Sequence, residues 1–109
     1  MATETKKILG QNSPAATTLT DLYTVPASTQ TIGSSLVVTN RAGATTYRVS
    51  IAKAGAADAV AQYIAYDNAL AANDTETIKI GITLGATDVV RVYSGTGSVS
   101  FSLFGVEVS

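Results

Sequence analysis

The chain has 109 residues, seven basic and eight acidic side chains, and a net charge of −1, which is one nearly neutral domain by length. It contains no His, Cys or Trp, so disulfide frameworks, thiol nucleophiles, cysteine-ligated metals and Ser-His-Asp machinery are all excluded. Only 14% of residues are charged, against a usual ~25%, and the balance argues against a dedicated nucleic-acid binder, while the apolar runs are too short to span a bilayer.

Residues 1–17 are polar and small, interrupted by Ile8 and Leu9. They read as an N-terminal arm, with Ile8–Leu9 as a short anchor on its own domain or on a neighbour. No signal-peptide core is expected there. Residues 18–109 read as the folded domain.

From Thr18 onward the pattern has period two. Tyr23 and Val25 share a face of the first strand, which Pro26 closes. Ile32, Leu36 and Val38 share a face of the second. Arg41-Ala42-Gly43-Ala44 forms a hairpin turn into the third, where Tyr47, Val49 and Ile51 point inward and Thr46, Arg48 and Ser50 outward. The Ala-rich stretch 54–62 has no alternation and room for one helical turn. Ile64 and Tyr66 mark a fourth strand. Ile78, Ile80, Ile82 and Leu84 predict one continuous fifth strand. Val90 and Val92 predict a sixth, with Arg91 outward, and 94–97 (SGTG) turn into a seventh, inward at Val99, Phe101 and Leu103. The apolar phase then changes to Val106 and Val108, which predicts a β-bulge at Phe104–Gly105.

Seven or eight short strands at turn spacings of about 8–12 residues predict an all-β antiparallel β-sandwich. Immunoglobulin-like and jelly-roll connections both fit. Thr-rich outer faces suit exposed strands, and hydroxyls desolvate more cheaply than charges when copies pack together.

Little chemistry is expected. The eight carboxylates show no spacing that forces an acid/base pair, and Asp58, Asp67, Asp74 and Asp88 fall at turn positions. Asp67–Asn68 and Asn73–Asp74 together offer oxygens to Ca²⁺, but their spacing matches no known loop. The glycines of 81–85 and 95–97 lack a phosphate-loop lysine and read as turns. No catalytic residue, metal or cofactor is expected. Tyr63 and Tyr93 lie opposite their strands' apolar faces and are the candidates for an exposed aromatic surface. Arg48 and Arg91 stand on outward faces, and Arg is enriched at interfaces. The residues expected to touch partners are Ile8, Leu9, Arg48 and Arg91.

Several stretches carry a resemblance: 9–26 (LGQNSPAATTLTDLYTVP), 35–41 (SLVVTNR), 46–49 (TYRV), 81–84 (GITL), 88–93 (DVVRVY) and 102–105 (SLFG). Together the chain resembles a group of small virion structural proteins of tailed bacteriophages, cyanophages included. The resemblance implies a multi-copy β-sandwich on a virion assembled in the host cytoplasm. It implies a capsid decoration (cement) protein, or a small neck, tail or fibre component. The implied partners are copies of itself and other virion proteins, such as the major capsid protein or tail and neck proteins, with no nucleic acid and no membrane. A glycan-recognising adhesion module is the second reading, and an enzyme, with carboxylates alone to work with, a distant third.

Overall fold

The computed structural model describes residues 3–109. Among the described residues nine strands form in chain order: β1 (Glu4–Asn12), β2 (Thr20–Thr24), β3 (Gln30–Asn40), β4 (Thr45–Ala52), β5 (Tyr63–Leu70), β6 (Thr75–Ile78), β7 (Ile82–Leu84), β8 (Val89–Ser94) and β9 (Val99–Val108). Two short 3-10 turns, Lys53–Gly55 and Val60–Gln62, occupy the Ala-rich stretch.

All pairing is antiparallel, in two sheets. The first has the order β1-β9-β3-β6, with β7 continuing the β6 edge along β3; the second has the order β2-β8-β4-β5. The pairing is nested. β1 pairs with β9, β2 with β8, β3 with β6 and β7, and β4 with β5. The chain is one long hairpin wound over itself, which is a jelly roll. That decides between the two connection patterns left open by the sequence.

The expected arm is built differently. Residues 4–12 pair along their whole length with β9, so most of the segment is an edge strand of the sandwich. Leu9 sits in the core at 8% exposure while Ile8 faces out. The reason is that β9 offers a free edge with an apolar inner row, and Leu9 completes that row.

In β9, Val99, Phe101, Leu103 and Gly105 are buried in unbroken alternation, and the strand itself is not bulged. The extra residues belong to its neighbours. β1 runs from Ile8 to Gly10 against Phe104–Leu103, so Leu9 is extra. β3 runs from Gly33 to Ser35 against Gly105–Phe104, so Ser34 is extra. Both bulges flank Gly105, where a Cβ would collide with the Ile32 carbonyl and come within 3.0 Å of Gly33 Cα and Leu9 Cδ1. Phe104, Val106 and Val108 therefore face outward without any change of phase.

Bulges explain the other departures from simple alternation. Ser34 reverses β3, so Ile32 is 47% exposed while Leu36 and Val38 are buried. Two register shifts in β5 bring Ala65 inward and leave Ile64 and Tyr66 outside. The predicted fifth strand breaks into β6 and β7, with Gly81 at φ 49° between them.

The core lies between the sheets around Leu36, Val38, Tyr47, Val49, Val90, Val92, Phe101 and Leu103. Tyr47 and Phe101 meet edge to face with centroids 6.1 Å apart. Two tyrosines of the second sheet reach carboxylates of the first. Tyr23 Oη donates to Glu107 at 2.5 Å and shares a 2.8 Å bond with Thr31; Tyr47 Oη donates to Glu76 at 2.8 Å. Burial, then the neighbouring carboxylate, pushes the Tyr23 phenol up to about 12, and raises Tyr47 in the same way.

Candidate functional site

The geometry offers surfaces. Among the described residues there is no group of three or more Asp or Glu side chains placed to hold a metal. The proposed calcium ligands serve other ends. Asp67 receives Arg48, and Asp74 Oδ1 accepts the Thr75 amide at 2.9 Å. Between the β5 and β6–β7 edges lies a small opening of about 140 Å³, lined by aliphatic side chains that include Ile64, Ile78, Ile80 and Ile82.

The outer face of the second sheet holds the predicted arginines. Arg48 and Tyr93 are cross-strand partners on β4 and β8. The Arg48 guanidinium lies 4.4 Å from the Tyr93 centroid and 4.2 Å from that of Tyr66, between the two rings. Its Nε and Nη2 donate to the two Asp67 carboxylate oxygens at 2.6 and 3.3 Å. Asp67 adopts φ 50°, at one of the register shifts in β5, and this turns its carboxylate to the arginine. The Asp67 hydrogen bonds hold the positive charge on Arg48 even more firmly than usual. Tyr63 meets Tyr66 edge to face at 5.0 Å and donates to Asp58 at 3.1 Å. The result is a surface cluster of three tyrosines around one neutralised arginine.

Alternation alone places Arg48, Tyr63 and Tyr93 on outer faces but not the other half of the cluster. Alternation sets Tyr66 on the apolar face with Ile64, yet it is 55% exposed, and Asp67 has the character of a turn residue. The β5 bulges moved both. The positive φ at Asp67 had only a faint signal, the Asp-Asn pair that tolerates it.

Arg91 serves the fold. Its Nε donates to Asp21 at 3.1 Å, and its terminal nitrogens donate to the Ala56 and Gly55 carbonyls at 2.8 and 3.3 Å. Asp88 Oδ1 accepts the Ala54 amide. These bonds hold the 53–56 segment over the sheet. Ser50, outward by register, is fully buried there.

The outer face of the first sheet has two halves. Gln11, Ser100, Ser102, Thr39, Thr75 and Thr77 form a hydroxyl-rich half, tied by Gln11–Ser102 and Thr75–Thr39 bonds. Ile8, Ile32, Phe104, Val106 and Val108 form an apolar half, in which Ile8 opposes Phe104 and Ile32 opposes Val106. Ile8 is 52% exposed. The change from Ser to Phe and Val in β9, read from sequence as a bulge, is the border between the halves. Leu9 cannot join this surface, because the bulge turns it into the core.

No family model and no curated protein matches the sequence. Solved structures do match. A chain from the structure of the infectious bursal disease virus Gx strain superposes with TM-score 0.55 at 12% identity, over 99% of this chain and 37% of its own. A chain of the T13 viral particle of the same virus gives 0.58 at 12%, over 99% and 30%. One from the Gt strain gives 0.52 at 10%, over 98% and 31%. The likeness is one of fold. The chain spans about a third of the length of these structural neighbours.

Proposed function

We propose that the chain is a non-enzymatic structural protein of a virion, working in many copies through its sheet faces and edges. The observation that carries this reading is the jelly roll it shares, over nearly all its length, with chains of infectious bursal disease virus structures. The surface supports it. One sheet presents a largely apolar and hydroxyl face, with the charge on its strands confined to Glu4 and Lys6 at the β1 edge, and such a surface packs against other proteins at low desolvation cost.

Within that reading, the sequence resemblance to tailed-phage virion proteins favours a capsid decoration protein. Its contacts would be copies of itself and the major capsid protein. Ile8 leads the apolar half, with Leu9 supporting it from the core; Arg48 contributes through its tyrosine cluster, and Arg91 through the loop it holds. The second reading is a neck, tail or fibre component that binds glycans. The Tyr63–Tyr66–Tyr93 cluster favours it, because aromatic rings at a surface are suited to stacking.

Mass spectrometry of gradient-purified particles tests the proposal. The protein is expected to co-purify in fixed proportion to the shell protein. Recovery only from the soluble fraction of the lysate overturns it. A glycan array probed with the purified protein separates the two stations: binding lost in Tyr66→Ala favours the adhesion module.

A further inference from the structure

The outer half of β1 is a free sheet edge, and its residues are arranged to match themselves. β1 ends the first sheet. Beyond the Leu9 bulge it lies beside β2, where a Cβ on Gly10 would strike the Leu22 carbonyl. Before the bulge, residues 3–8 are all exposed.

The hydrogen-bond phase of this edge is fixed. The Thr3 amide donates to the Ser109 carbonyl at 2.7 Å, and the Ser109 amide to the Thr3 carbonyl at 3.0 Å. In an antiparallel ladder bonded and non-bonded pairs alternate, so Thr5 and Lys7 also turn their backbone groups toward β9. Glu4, Lys6 and Ile8 turn theirs away from the sheet, toward any strand that arrives.

We propose that two copies of this chain pair antiparallel through this edge, about a two-fold axis at Thr5, into one continuous sheet. This rests on the multi-copy reading above and specifies one of its contacts. With the axis at Thr5, the free backbone groups of Glu4 face those of the second copy's Lys6, and the reverse, in register to exchange hydrogen bonds. The side chains agree. Glu4 and Lys6 lie on the same outer face, opposite Val108 and Val106, so each carboxylate meets an ammonium across the junction and Thr5 meets Thr5. Neither Glu4 nor Lys6 has an ion-pair partner among the described residues. Lys7 points to the other face and is held by Glu107 at 3.3 Å.

Axes at the charged positions fail on charge, and one at Ile8 would carry the pairing past the Leu9 bulge, where the edge lies beside β2. An axis at Glu4 sets Glu4 on Glu4. Axes at Lys6 or Lys7 set lysine on lysine. Opposed unlike charges and Thr–Thr pairs stabilise neighbouring strands, and like charges destabilise them. Edge lysines ordinarily block sheet extension. Here a carboxylate two residues away leaves one register open, so the edge is selective rather than closed.

Sedimentation equilibrium of the full chain, from micromolar to millimolar concentration at low salt, tests this with Glu4→Lys, Lys6→Glu and the double exchange. The wild type is expected to form a dimer. Each single variant, confirmed folded by circular dichroism, should weaken it by about tenfold or more, since the symmetry makes each change twice. The double exchange should restore it. A monomeric wild type at every concentration overturns the proposal. So does a dimer indifferent to both single changes, or one the double exchange fails to restore. None of these outcomes touches the virion role, which is read from the particle itself.

Discussion

Tyr23 of the second sheet donates its hydroxyl to Glu107 of the first at 2.5 Å, across the mouth of the sandwich. Thr31 shares the phenol oxygen, and Lys7 reaches the other carboxylate oxygen at 3.3 Å. The Tyr23 bond, assisted by Lys7, holds the Glu107 carboxyl below the usual glutamate range. Tyr47 and Glu76 make the matching bond at the other end of β3, seven residues along from Thr31 to Val38, so the sheets are tied at both ends.

A lowered folded pKa means that Glu107 stabilises the fold while ionised. Its contribution is complete above the ordinary glutamate value of about 4.3 and is lost as the pH falls through the lower folded value. Glu107→Gln is expected to cost about 1 kcal/mol at neutral pH, less than a buried charged hydrogen bond because the rim is solvated. Urea titrations at pH 7 and pH 3 should show the gap between wild type and variant closing at pH 3.

Gly105→Ala tests the double bulge. The added methyl meets the Ile32 carbonyl and the Leu9 side chain, and neither can retreat without moving a bulged strand. The expected loss is about 1–3 kcal/mol, the range for overpacking a filled core. A thermal melt measures it. An unchanged midpoint would mean that the two bulges do not close on Gly105.

Arg48→Lys keeps the charge but loses the planar fork that fits Asp67 and stacks between Tyr66 and Tyr93. With no Trp in the chain, emission comes from the five tyrosines, three of which lie in this cluster. The spectrum is expected to change while the midpoint of unfolding moves only slightly. An unaltered tyrosine signal would separate Arg48 from the rings.

Arg91→Ala removes both donors to the Gly55 and Ala56 carbonyls. Amide hydrogen exchange should accelerate across residues 53–62 and leave β4 and β8 protected, because Val49, Val90 and Val92 keep their core packing. Exchange that rises equally in the strands would make Arg91 a support of the whole sheet.

Much of the fold was legible because alternation is a property of single strands. Tyr47 and Val49, Val90 and Val92, and Val99 to Leu103 point inward as their pattern demands. What alternation cannot show is where a partner strand gains a residue. The bulges at Leu9 and Ser34 reverse no sign in β9, so Val106 and Val108 looked like a slip when they were the outer face. The β5 shifts hid Tyr66 and Asp67 for the same reason. The sandwich was legible and its winding was not, since strand order depends on which edges meet. The N-terminal segment is ambiguous in sequence because Thr3 to Lys7 are polar on both sides, as an exposed edge strand is and as a mobile tail also is.

The proposed role makes this jelly roll a repeated part of a virion. Cryo-electron microscopy of intact particles carrying the chain tests it most directly. The expected result is repeated density that fits two stacked sheets of five and four strands, with the Ile8–Phe104–Val106 face against a neighbouring protein. Density on the capsid lattice would place it as a decoration protein; density on neck, tail or fibres would place it as a connector or adhesion module. Particles with no such density, from cells that make the protein, would contradict the proposed role.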